Sequence, residues 1–124
     1  MRVSVYREDF FSAAHHLREY RGKCENMHGH NWKVRLEVTR DSLTSEGFVC
    51  DFTLLKKVLK DILDRLDHRD INVTPPFDTI NPTAENLSLY IFAEADRELK
   101  IVDSELSVLR VSVWESEKSC AVVE

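Results

Sequence analysis

His28-Gly29-His30-Asn31-Trp32-Lys33-Val34-Arg35-Leu36-Glu37-Val38 is the stretch from which the fold is read. Trp32, Val34, Leu36 and Val38 alternate with Lys33, Arg35 and Glu37, the period-two pattern of a strand with one buried face. In extended backbone alternate side chains share a face. His28 and His30 therefore stand on the apolar side, at the root of the strand. Two imidazoles there are costly unless something satisfies them, and a metal ion does so.

Working outward, residues 2–12 read as extended, with Val3, Val5, Phe10 and Phe11, and residues 15–30 as an irregular polar segment. The strand at 31–40 is expected to turn through Asp41–Gly47 into a short strand, Phe48–Cys50. Asp51 is placed to cap a helix reaching about Leu66, because Leu55, Val58, Leu59, Ile62, Leu63 and Leu66 follow three-four spacing. Pro75, Pro76 and Pro82 mark residues 69–82 as a loop. Thr83 then caps a second helix over about 84–99, with Leu87, Ile91 and Ala95 inward. Leu106–Glu115 reads as a strand and Ser119–Val123 as its hairpin partner. Strands outside two central helices give an α+β sandwich.

The chain has 124 residues, 43% hydrophobic and 31% charged, which fits one globular domain over 1–124. A formal net charge of -5 argues against a nucleic-acid partner, since phosphate affinity needs a basic surface. No apolar run approaches the ~20 residues of a membrane span and no signal-like segment opens the chain, so a cytoplasmic protein is expected. Cys24, Cys50 and Cys120 form no Cys-x-x-Cys pair, which disfavours a thiolate zinc finger. Cys50 and Cys120 read as small buried hydrophobes.

His15, His28 and His30 are the candidate zinc ligands. Three neutral imidazoles leave the cation its charge and one open position, as catalytic sites require. Cys24 as a fourth ligand would close a structural site instead. Leu109, Val111, Val113 and Glu115 share one parity, so Glu115 falls at the end of the apolar face if the strand runs that far, and is solvated if it ends early.

Phe11-Ser12-Ala13-Ala14-His15, Cys24-x-x-x-His28-Gly29-His30, Leu66-Asp67-His68, Asn81-Pro82-Thr83-Ala84-Glu85 and Glu115 together resemble the 6-pyruvoyl tetrahydropterin synthase family, in family order. The resemblance implies zinc on His15, His28 and His30, with Cys24 as catalytic base. It further implies an intersubunit triad completed by Asp67 and His68, and Glu115 holding the pterin. The three-residue spacing from Cys24 to His28 looks like the 6-carboxytetrahydropterin synthase branch of queuosine biosynthesis, rather than the pyruvoyl-forming branch. That enzyme acts on 7,8-dihydroneopterin triphosphate. The fold implied is the tunnelling fold: a four-stranded antiparallel sheet with two helices on one face, closing into a barrel of stacked trimers, a hexamer. His16 departs from the family's usual arginine, and Lys23 and Arg69 are candidate triphosphate contacts. A zinc-stabilised binding module is the non-enzymatic alternative.

Overall fold

The computed structural model describes residues 1–21 and 25–124. Two long strands, β1 (Ser4–His15) and β2 (His28–Thr39), are followed by helix α1 (Phe52–Leu63), a 3-10 turn at Ile71–Val73 and helix α2 (Ala84–Val102). Strands β3 (Ser107–Ser116) and β4 (Ser119–Val123) close the chain. The strands form one antiparallel sheet in the order β1-β2-β3-β4, and both helices lie on one face, α1 against β1 and α2 against β3 and β4. The layers bury Phe11, Trp32, Val34, Leu36, Val111 and Val113 from the sheet against Leu55, Leu59, Ile62, Leu87, Ile91 and Leu99 from the helices. Each fully buried side chain of this kind contributes about 1.5–3 kcal/mol.

Both caps form as their residue types dictate. Asp51 accepts the Thr53 N–H at 2.8 Å, and the Thr83 hydroxyl accepts the Asn86 N–H at 3.0 Å. Helix α1 ends at Leu63 rather than near Leu66, but turns carry the chain on and Leu66 stays buried. Helix α2 runs on to Val102.

Three expectations are corrected. Phe48–Cys50 is not a strand: β2 already has β1 and β3 on its two sides, so the segment cannot fold back to pair with the strand it follows. Leu109 leaves the apolar face, because the β2–β3 register shifts at Glu37/Val38 and puts Val108, not Leu109, beside Val111 on the core side. Cys120 is exposed, since on the edge strand β4 it is Ala121 and Val123 that turn inward; Cys50 is half-buried.

The segment expected to be irregular from residue 15 is shorter than the sequence suggests. β1 extends to His15 and β2 begins at His28, so the two strands pair to their shared end, with His15 opposite His28 and Ala13 opposite His30. Three histidines are thereby delivered by two adjacent strands.

Candidate metal centre and pocket

His15 is buried, packed edge-on against Trp32 at 4.9 Å between ring centroids. The rings of His15, His28 and His30 stand 4.6 to 5.1 Å apart at steep angles, 70 to 85°. Glu115 joins them: its carboxylate oxygens lie 3.3 Å from His30 Nε2 and 4.0 Å from His15 Nε2. One ligand atom from each of the four residues falls within 4.8 Å of all the others.

Ring orientation is set from outside the cluster. His15 Nδ1 is 2.8 Å from the Pro82 carbonyl, and His28 Nδ1 is 2.8 Å from the Asn26 carbonyl. A carbonyl only accepts, so each Nδ1 carries a proton, and in the neutral ring each Nε2 is then the nitrogen with a lone pair. Backbone carbonyls orient metal-binding imidazoles in this manner. His15 Nε2 and His30 Nε2 are buried without a hydrogen-bond partner. Burial holds His30 below the ordinary histidine value; Glu115 works against that, while His15 and His28 add to it. The neutral ring so favoured is the form that binds a cation. Orphaned nitrogens and imidazoles oriented by backbone carbonyls fit a divalent metal, and zinc suits such nitrogen and oxygen donors.

The loop that supplies the Pro82 carbonyl is gripped by Arg18. Its guanidinium donates to the carbonyls of Asn72 at 2.8 Å, Phe77 at 2.6 Å and Ile80 at 3.2 Å, while its backbone N–H meets Asn81 Oδ1 at 2.9 Å. Sequence reading passed over Arg18, whose role depends on a loop more than fifty residues away. The His16 backbone N–H is bound by Asn72 Oδ1 at 2.9 Å.

Beside the cluster an open cavity of about 370 Å³ is lined by Ala84, Glu85, Glu115, Ser119, Cys120, Ala121 and Val122. It lies where the first turn of α2 meets β4. Glu85 belonged to a motif in the sequence without being given a part, and only the fold shows that it shares this cavity with Glu115. Burial pushes the Cys120 thiol up, so it is not a thiolate at neutral pH.

Asp67 and His68 are placed elsewhere. The Asp67 carboxylate accepts the Ser12 N–H at 2.9 Å, and the His68 N–H donates to the Ser12 carbonyl. The bond from Ser12 and the proximity of His68, at 3.0 Å, hold Asp67 below the usual carboxylate range. His68 has φ of 56° and a side chain 81% exposed on the outer edge of β1. Within one chain the pair does not join the histidine cluster. Cys24 and Lys23 lie outside the described residues.

Relatives and solved structures agree with this architecture. A protein of Synechocystis sp. named 6-carboxy-5,6,7,8-tetrahydropterin synthase is 35% identical over 74% of this chain and 74% of its own length. The 6-pyruvoyl tetrahydrobiopterin synthase of Dictyostelium discoideum is 31% identical over 86% of this chain and 88% of its own. The structure of Caenorhabditis elegans 6-pyruvoyl tetrahydropterin synthase superposes with a TM-score of 0.82 at 29% identity, covering 100% of this chain and 96% of that one. The four-stranded sheet with two helices on one face is the tunnelling fold. The family model described as 6-pyruvoyl tetrahydropterin synthase matches residues 4–124, and the chain belongs to that family of pterin synthases.

Proposed function

We propose that this chain is a zinc-dependent carbon-carbon lyase, a 6-carboxytetrahydropterin synthase. It converts 7,8-dihydroneopterin triphosphate and water to 6-carboxytetrahydropterin, acetaldehyde and triphosphate in queuosine biosynthesis. The observation that carries the reading is the convergence of His15, His28 and His30 beside a cavity with two carboxylates. The three residues between Cys24 and His28 favour the carboxy product. The pyruvoyl-forming reaction is the second reading, favoured by the name of the Dictyostelium relative.

Zinc held by His15, His28 and His30 would supply Lewis acidity, making the C–H beside a bound hydroxyl more acidic. The chain's own groups do the rest. Cys24, four residues before His28 in sequence, is the base that moves protons at that carbon. Asp67 and His68, on the outer edge of β1 and apart from their own histidine cluster, are proposed to serve the site of a second copy. That agrees with a homo-oligomer built from trimers, in which His68 tunes the partner's base and Asp67 fixes its tautomer.

For the pterin ring we propose a different residue from the one the family resemblance implies. Glu115 was expected to receive the amino-pyrimidine N–H groups, but its oxygens face two imidazole nitrogens. Glu85 shares the cavity and has no such neighbour among the described residues, so the pterin's N–H edge is given to Glu85, a two-oxygen acceptor for two donors. No helix among the described residues is long and apolar enough to cross a membrane, and a cytoplasmic enzyme is proposed. Mass spectrometry of the pterin formed from 7,8-dihydroneopterin triphosphate tests the reading: the carboxy product supports it, the pyruvoyl product supports the second, and no turnover by zinc-loaded protein removes both.

A further inference from the structure

We propose that Glu115 is a resident fourth ligand of the cation, so that the site at rest is a closed set of three histidines and one carboxylate rather than an open three-histidine site. This rests on the metal reading above and goes beyond it.

Two acceptors face each other here. His15 donates its Nδ1–H to the Pro82 carbonyl, so in the neutral ring its Nε2 is a lone pair; an ionised carboxylate is acceptor-only too. Yet Glu115 sits 4.0 Å from that nitrogen and 3.3 Å from His30 Nε2, and neither nitrogen has a hydrogen-bond partner. Acceptors brought together repel unless a positive charge stands between them. Donors bonded at roughly 2.0–2.2 Å around one tetrahedral zinc are themselves about 3.3–3.6 Å apart; the 3.3 Å separation from His30 matches that spacing, and the 4.0 Å separation from His15 is wider and would have to close on binding.

The backbone is built for the aim. Parity puts Glu115 on the helix-facing side, in line with Val111 and Val113. The β3–β4 register shifts between Trp114 and Ser116, leaving Glu115 as the extra residue with no partner on β4. A bulge of this kind re-aims a side chain. The fourth ligand also cancels one unit of the cation's charge, so a ligand that brings its own oxygen donors has to compete with Glu115.

The test compares wild type, Glu115→Ala, Glu115→Gln and His28→Ala. Zinc affinity is read by competition with a chromophoric chelator, and neopterin, a diol-bearing pterin that does not react, is titrated into the zinc-loaded proteins. Expected are a loss of zinc affinity of about tenfold or more in Glu115→Ala and a smaller loss in Glu115→Gln. Neopterin should bind Glu115→Ala as tightly as wild type or more tightly, since no ligand has to leave. The visible spectrum of the cobalt(II) form should also change between wild type and Glu115→Ala. Equal zinc affinities overturn the proposal, and weaker neopterin binding with zinc affinity unchanged makes Glu115 a substrate contact. If wild type binds no more zinc than His28→Ala, the metal reading itself fails. Melts of the metal-free proteins separate folding from binding: a loss of zinc affinity counts only for a variant that melts as wild type does.

Discussion

His15 and His28 are direct partners across β1 and β2, the last pair of a twelve-pair antiparallel ladder, with ring centroids 4.6 Å apart. The ladder fixes their spacing before any metal arrives. The hydrophobic layers behind Trp32 support that ladder, which is expected to hold with or without a metal.

His28→Ala is accordingly expected to bind zinc weaker by orders of magnitude while keeping its sheet. Metal analysis after dialysis, beside a far-ultraviolet circular dichroism spectrum, checks both halves. About one zinc per chain in the variant would remove His28 from the ligand set.

Cys24→Ala should keep its zinc and lose turnover by about 100-fold or more, the usual cost of a missing positioned base. Loss of zinc together with activity would instead make Cys24 a ligand.

Glu85→Gln replaces one acceptor oxygen with a donor that faces the pterin's own N–H groups. Weaker neopterin binding by roughly 1–3 kcal/mol is expected, as for a polar group left without a partner, with zinc affinity unchanged. Calorimetric titration decides, and equal affinities would return the pterin-binding role to Glu115.

Metal-free protein should lose stability as the pH falls through the histidine range. Burial lowers the folded-state value of His30 below its ordinary 6.5, so in the window beneath 6.5 the unfolded chain takes up a proton that the folded chain resists. Protonation there favours unfolding; above 6.5 the two states hold the same charge at this residue. Melts from pH 8 to pH 5 should show the fall, and His30→Gln should flatten it. An unchanged slope in the variant would assign the effect to other groups.

Arg18→Met should loosen the 72–81 loop, since three carbonyls lose their charged donor. A destabilisation on the order of 2 kcal/mol is expected, with Arg18→Lys losing less. Chemical denaturation measures it, and a change below about 0.5 kcal/mol, the usual range for surface positions, would make the clamp unimportant.

Both helices, their caps and the strand pattern at Trp32–Val38 were legible because each rests on local chemistry: an apolar period, a capping oxygen, a proline. What was not legible came from pairing. The reach of β1 to His15 depends on a partner strand, and the flip at Leu109 on a register shift that no period reveals. Glu115 was marked by its parity with Val113, but its approach to His30 needed the bulge at Trp114–Ser116. Glu85 carried no pattern of its own, because the cavity it lines is formed by α2 and β4 together.

The bonds that Asp67, His68 and Arg69 make to Ser12 and Ala14 also act as a ruler. They occupy the outer edge of β1 over its last turn of pleats, and the Phe10 N–H is taken by the neighbouring Asp9 carboxylate. In the proposed oligomer, a strand arriving from another copy would find only the stretch from Ser4 to Glu8 open, about as long as β4, the five-residue strand at the opposite edge of the sheet. A slip of that strand toward His15 would run into the Asp67–Arg69 segment, so in such an oligomer the chain would carry its own stop against misregistered pairing.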